Sequence, residues 1–290
     1  MTVATKAPVK RKRPTGKRTT RKKKNKKGLS PTIKIALAGL LLILLSPLYY
    51  GYVLSAFTSV WRGIVDFGQD PNYRTYRSFN IPVPTKYSIH GIDVSSYQGK
   101  IDWKKVKEMR EDELRIRFAF IKATEGLMHV DPYFQRNWRE APKAGVICGA
   151  YHYFKPAKSG LWQAKFFLQN GKPEKGDFPP VVDVEELNGV SPAAMRAELK
   201  AFVKHIEKQT GIKPIIYTGI SFFNDYLKED FSDYPLWIAH YYKPELKVSK
   251  ETQWKFWQHS DIATIDGINH ATDMNVFNGD SSTFESLIIR

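Results

Sequence analysis

The stretch Phe178-Pro179-Pro180-Val181-Val182-Asp183-Val184-Glu185-Glu186 holds the two side chains with the most chemistry in reach. Two β-branched residues lead into Asp-x-Glu, the pattern of a strand running into a polar end. Residues i and i+2 of a strand share a face, so Asp183 and Glu185 project together while Val184 points away. Two carboxylates on one partly desolvated face repel each other, which raises the proton affinity of the pair. A protonated carboxyl beside an ionised one suits glycosidic-bond hydrolysis: the first protonates the leaving oxygen, the second supports the developing positive charge. The alternative is an edge-strand terminus with two solvated acids, and Asp-x-Glu alone does not separate the two.

Further acids fall at expected strand ends. Asp93 follows Gly91-Ile92, and Asp273 opens Asp273-Met274-Asn275-Val276-Phe277. First and last strands are neighbours in a closed barrel, so these two acids are expected side by side, at the C-terminal strand ends where barrel sites gather. Taken singly, each is equally readable as a turn or cap residue. Tyr97, Tyr151, Tyr153, Tyr217, Trp237, Tyr241 and Trp257 lie at or near strand ends. Aromatic faces pack on the C–H faces of sugars, but most strand aromatics are core, so about half are expected to line a groove. Glu125 is a rival acid, more readily read as the partner of Lys122 or another base. His152, His240 and His259 read as core or rim residues. No HExxH or other close ligand spacing occurs, so neither a metal nor another cofactor is expected. The single cysteine, Cys148, sits in an apolar run and reads as a buried thiol.

The elements that position these groups alternate in type. Strands are expected at 88–94, 117–123, 146–154, 180–185, 214–218, 236–241, 255–259 and 273–277. Helices are expected at 102–110, capped by Asp102; at 132–144, entered by Asp131-Pro132; and at 192–210, capped by Ser191 and ended by Gly211. Leu199, Phe202, Val203 and Ile206 make one apolar face of the last. Helices fade after Thr218. The sum is an α/β chain forming an irregular (β/α), TIM-like barrel over residues 87–290, and no GxGxxG or GxxxxGK[ST] motif favours a nucleotide fold.

The formal charge of +16 belongs elsewhere. Fifteen of the 45 Lys and Arg residues lie in residues 1–62, which contain no Asp or Glu, leaving 30 basic against 29 acidic. Residues 1–30 read as a disordered basic tail. Residues 33–57 read as one transmembrane helix, because Ile35 to Phe57 is uncharged and a helix of that length spans ~34 Å. Tyr49, Tyr50, Tyr52 and Trp61 suit an interfacial belt, and a cleaved signal peptide is the weaker alternative. The positive-inside rule then keeps the tail in the cytoplasm, where it can touch anionic lipid head groups, and exports the chain beyond the helix. Residues 58–86 read as a juxtamembrane connector. Nucleic-acid binding by the tail is not expected, since no aromatics interleave its charges.

Several segments together resemble glycoside hydrolase family 25, the lysozyme-type N-acetylmuramidases. They are 90–95 (HGIDVS), 120–126 (FIKATEG), 149–154 (GAYHYF), 182–185 (VDVE), 216–219 (IYTG), 236–239 (LWIA), 256–258 (FWQ) and 273–277 (DMNVF). His259 departs from the family, where Tyr is more usual. The resemblance implies a groove at the strand C-termini and hydrolysis of the β-1,4 bond from N-acetylmuramic acid to N-acetylglucosamine in peptidoglycan. It implies Glu185 as general acid and Asp183 as partner to the substrate 2-acetamido group, with Asp93 and Asp273 as flanking acids. Tyr151, Tyr153, Tyr217, Trp237, Tyr241, Trp257 and Gln258 form the implied substrate-binding set. Whether the substrate's own acetamido oxygen is the nucleophile stays open. The expectation is a monomeric, single-pass, membrane-anchored muramidase facing the cell wall. The rivals are a glycan-binding module without catalysis and a membrane-tethered nucleic-acid binder.

Overall fold

The computed structural model describes Ser30 and residues 72–290. The expected transmembrane helix, residues 58–71 of the connector, and all of the basic tail except Ser30 lie outside the described residues. Among the described residues no helix is long and apolar enough to cross a membrane.

Eight strands close into a barrel: β1 (His90–Val94), β2 (Leu114–Glu125), β3 (Ile147–Tyr153), β4 (Val181–Asp183), β5 (Ile215–Gly219), β6 (Leu236–Ala239), β7 (Trp254–Ala263) and β8 (Thr272–Phe277). The order around the wall is β1-β8-β7-β6-β5-β4-β3-β2, and β2 pairs back onto β1. All eight correspond to expected strands. Neighbours run parallel except around β8, which is antiparallel to both β7 and β1 and sets Asp273 directly opposite Asp93. That single reversal is what makes the barrel irregular.

Alternation along β2 shows how the wall divides two cores. Phe118 and Phe120 point into the barrel with Phe178, Trp237, Phe256 and Phe277, while Ala119 and Ile121 face the outer helices. The interior rings find room because glycines stand opposite them. Gly91 pairs with Phe118 and Gly149 with Phe120, and a Cβ on Gly149 would meet the Phe120 ring at 2.7 Å. Gly149→Ala is therefore expected to destabilise the fold by about 1–3 kcal/mol through overpacking, although alanine is ordinarily the better strand residue. A lowered denaturation midpoint with an unchanged slope would show it; an unchanged midpoint would mean that the rings have slack.

Outside the barrel lie α1 (Trp103–Glu108), α2 (Phe134–Lys143), α3 (Gly160–Gly171) and α4 (Pro192–Thr210). Asp102 accepts from the Lys105 amide and Ser191 from the Ala194 amide, both as expected of N-caps, and Gly211 ends α4 at φ 72°. Asp131 is not the cap of α2, which begins only at Phe134. Its carboxylate accepts instead from the amides of Tyr133 (2.9 Å) and Ser96 (2.7 Å), tying the loop after β1 to the start of α2. α3 was not foreseen. Between β5 and β6 there are only short helical turns over residues 220–231, and among the described residues no helix joins β6 to β7 or β7 to β8. A last helix, α5 (Ser281–Ser286), adds Phe284 to the interior core.

The end of the stretch read as connector has structure of its own. Tyr73–Tyr76 and Ile81–Pro84 form an antiparallel hairpin, and Phe79, Ile81 and Val83 bury into the outer core. The Phe79 carbonyl accepts from the Thr264 amide at 2.9 Å, fixing the hairpin beside β7.

Candidate active site

The C-terminal strand ends converge on a groove of about 290 Å3 lined by Asp93, Asp183, Glu185 and Asp273, with Lys122 the one cation among the described residues of its wall. Tyr151, Tyr153, Tyr217, Trp237, Tyr241 and Gln258 complete that wall. All four expected acids and six of the seven expected substrate-binding residues are thus brought together.

The exception is Trp257, which is fully buried in the outer core against Tyr87, its indole donating to the His240 carbonyl at 2.8 Å. The cause is the pleat: Phe256 and Gln258 point into the barrel, so Trp257 between them points out. Tyr97 lies on the rim instead of in the groove, exposed to 67 % and set against His270. The other rejected candidates behave as expected. Glu125 is held by Lys122 (2.7 Å) and Lys155 (3.0 Å), whose contacts outweigh its burial and keep its carboxyl below the usual range. His152 is buried between Thr124 and Gln163, and burial lowers it to about 4.

β4 is shorter than expected and ends at Asp183, yet the pairing continues, since the Val184 amide donates to the Tyr217 carbonyl at 2.9 Å. Val184 is buried outward, and Asp183 and Glu185 both reach the groove. Asp183 is 7 % exposed, and its Oδ1 is buried without a hydrogen-bond partner. Burial, reinforced by the Glu185 charge, pushes its carboxyl well above the ordinary value, and Lys122 opposes the shift. Glu185 stands exposed at the mouth. Partial desolvation and the neighbouring Glu186 raise it, against the lowering influence of the nearby Tyr217 hydroxyl and the charge of Lys122. Both carboxyls therefore hold a proton more tightly than usual, and Asp183 is the more deeply buried of the two.

Asp93 sits at the centre of an amide network. Its Oδ2 accepts from Gln258 Nε2 and Asn275 Nδ2, both at 2.8 Å. Gln258 Oε1 in turn accepts from the hydroxyls of Tyr217 (2.6 Å) and Tyr241 (2.7 Å), and Asn275 Oδ1 from the Trp237 indole (2.7 Å). Burial lifts Asp93 to about 6 despite these donors. Asp273 is pushed well above the usual range by burial first and by the Asp93 charge second. Two residues of the site were missed, although alternation reveals both: Asn275 of the amide network shares the face of Asp273, and Lys122 of the groove wall continues the inward series Phe118, Phe120.

The Asp93 shift makes stability depend on pH. A carboxyl raised on folding, here from 3.8 to about 6, favours the fold most below pH 3.8 and loses that contribution as pH rises through 6. Asp93→Asn removes this titration. The stability of the variant relative to the parent is expected to improve by on the order of 3 kcal/mol between pH 4 and pH 7.5. Urea unfolding at both pH values measures it, and a pH-independent difference would refute it.

Among the described residues no group of three or more His, Cys, Asp or Glu side chains is arranged to hold a metal ion. What the groove offers is carboxyl chemistry: four acids of raised proton affinity lining one groove, walled by aromatic rings.

Comparison with known proteins agrees with this geometry. The chain is 44 % identical to the uncharacterized protein YegX of Escherichia coli K12 over 87 % of its length and 92 % of that protein's. It is 34 % identical to lysozyme M1 of Streptomyces globisporus, covering 76 % of each chain. Its fold superposes on a family 25 glycosyl hydrolase of Bacillus anthracis with a TM-score of 0.65 and 32 % identity, over 77 % of this chain and all of the other. Residues 92–268, which carry Asp93, Asp183, Glu185 and most of the groove wall, match the family Glycosyl hydrolases family 25, and the chain belongs to that family as a glycoside hydrolase.

Proposed function

We propose that the protein is a muramidase, cutting the β-1,4 bond between N-acetylmuramic acid and N-acetylglucosamine in peptidoglycan with Glu185 as general acid. The observation that carries this reading is the unpartnered Oδ1 of Asp183 beside the accessible carboxyl of Glu185. A buried carboxylate oxygen without a donor costs free energy, and the N–H of a substrate 2-acetamido group is a donor of the right kind. When that N–H arrives, it stabilises ionised Asp183. The sugar simultaneously strips water from Glu185 and raises its proton affinity. The proton moves from Asp183 to Glu185, where it faces the glycosidic oxygen.

Proton transfer from Glu185 then breaks the bond, and the acetamido oxygen, aimed by the hydrogen bond from its own N–H to Asp183, closes onto the anomeric carbon. Water opens the oxazolinium ion with Glu185 as base, a substrate-assisted variant of the two-carboxylate scheme. Asp93 and Asp273, sharing one proton, brace Gln258 and the Tyr217 and Tyr241 hydroxyls against the sugar. The lysozyme among the relatives supports the choice of glycan.

In the same reading, residues 33–57 anchor the enzyme in the cell membrane with the basic tail on the cytoplasmic side, against anionic lipid head groups. The barrel then works at the cell-wall side, cutting only the membrane-proximal wall, as remodelling requires. The support is the uncharged run and the charge asymmetry of the sequence. Mass analysis of fragments released from purified peptidoglycan tests the chemistry. Reducing-end muramic acid is expected. Reducing-end glucosamine would replace the muramidase by a glucosaminidase, and no release would leave a binding module.

A further inference from the structure

A second cleft, of about 660 Å3, opens between α1, α2 and the β7–β8 connection, and five cations line it: Lys100, Lys104, Lys105, Arg136 and Lys143. Its two acids are engaged locally. Asp102 caps α1, and Glu140 pairs with Arg139 at 2.9 Å and, at 4.0 Å, with Lys143 of the cleft wall. Arg136 is fixed in the wall by its bond to the Ile101 carbonyl at 2.8 Å, and Lys104 has only a distant partner in Glu108, at 3.9 Å. Among the described residues no acid lies within ion-pair distance of Lys100 or Lys105. In residues 63–290, where 30 basic residues meet 29 acidic ones, this is a local positive excess. The catalytic groove has the opposite sign, with four acids against Lys122.

The two sites are built by the same two loops. One leaves β1 just past Asp93 and reaches Lys100; the other passes Gly267 and Asn269 and enters β8 at Asp273. Three contacts stitch them: Asp102 N to the Gly267 carbonyl (2.9 Å), Gln98 Nε2 to the Ala271 carbonyl (3.1 Å), and the Tyr97 ring against His270. Exposed Tyr97 lies in the loop that runs from Asp93 of the groove to Lys100 of the cleft.

We propose that this cleft binds the carboxylates of the peptide side chains carried by the glycan under cleavage. The proposal rests on the muramidase reading and extends it. A glycan bearing anionic peptides meets repulsion in a groove of four acids. Ammonium groups one loop away offset that repulsion and fix the register of the strand, the sugar between them lying on Tyr97. Attraction of this kind is screened beyond about 8 Å at physiological salt, so it acts on groups near the cleft.

The test compares peptide-bearing peptidoglycan fragments with glycan strands stripped of peptides by an amidase. The double variants Lys100→Gln/Lys105→Gln and Lys100→Glu/Lys105→Glu are set against the parent chain. On peptide-bearing fragments KM is expected to rise roughly three- to tenfold for the Gln pair, and further for the Glu pair, with kcat unchanged. The salt dependence of KM flattens in step. On stripped strands both constants stay at parental values, which also shows that the variants are folded. Equal changes on both substrates, or none on either, would overturn the proposal. A parent chain inert on both substrates would instead fail the muramidase reading.

Discussion

Glu185→Gln is expected to lower kcat on peptidoglycan by roughly 10²–10⁴-fold, the usual worth of a positioned proton donor, with little change in KM. Gln keeps the shape of the carboxyl but has no proton to give at neutral pH. The fold is barely touched, because Glu185 lies exposed at the mouth of the groove and surface substitutions generally stay within about 0.5 kcal/mol. Losing a negative charge beside Asp183 also relieves the repulsion that raises that residue, so the melting temperature stays level or rises slightly. The alkaline limb of the parental pH–rate profile reports loss of the Glu185 proton in the complex and disappears in the variant. A folded variant with parental turnover would remove Glu185 from its role. Activity that is lost together with the fold would test nothing, which is why the exposed member of the pair is the informative one.

How legible the site was in the sequence depends on period. The strands announce themselves by two-residue alternation with β-branched and aromatic residues, and the eight expected strands all close the barrel. The direct pairing of Asp93 with Asp273 needs closure and also the reversal of β8, which brings the start of the last strand to the end of the first. Period also explains the failure at Trp257: its place beside Phe256 and Gln258 puts it on the outer face, whatever its type. Lys122 and Asn275 were concealed by residue type. A lysine next to Glu125 reads as an ion pair, which it makes, and an asparagine between Met274 and Val276 reads as strand filler. α3 escaped for another reason: its buried face is made of Gly160, Gln163, Ala164, Phe167 and Gly171, too small and polar to register as an apolar stripe. The hairpin before the barrel escaped because two prolines suggested a linker, whereas on an edge strand proline is tolerated. Shifts in proton affinity were the least legible feature, since burial and the Gln258–Asn275 amide network arise only when distant strand ends meet.

Asp183→Asn is expected to cost catalysis and to strengthen the fold at once. In catalysis the substitution removes the charge that holds the acetamido group and its oxazolinium ion. Loss of one such preorganised electrostatic partner costs about 10²–10³-fold in kcat. In the fold it removes a buried carboxyl whose Oδ1 has no donor. The sign comes from the raised proton affinity of Asp183: its favourable contribution is complete below the unfolded value of 3.8 and drains away as pH rises through the folded one. An amide in its place has no such loss, so the variant gains on the parent as pH rises. The gain is expected to reach about 1–2 kcal/mol by pH 8, or a few degrees in melting temperature. Calorimetry at pH 5 and pH 8 separates this from a general packing effect, which would shift both alike; a variant less stable than the parent at pH 8 would contradict it. Combined with Glu185→Gln, the losses in kcat should fall well short of multiplying, because both residues act on one proton and one intermediate. Losses that multiply would divide the pair into two independent contributors and leave the transfer of a proton from Asp183 to Glu185 without support. The unpartnered oxygen is then accounted for by function: folding alone would have supplied it a donor, and the place is left for a substrate N–H.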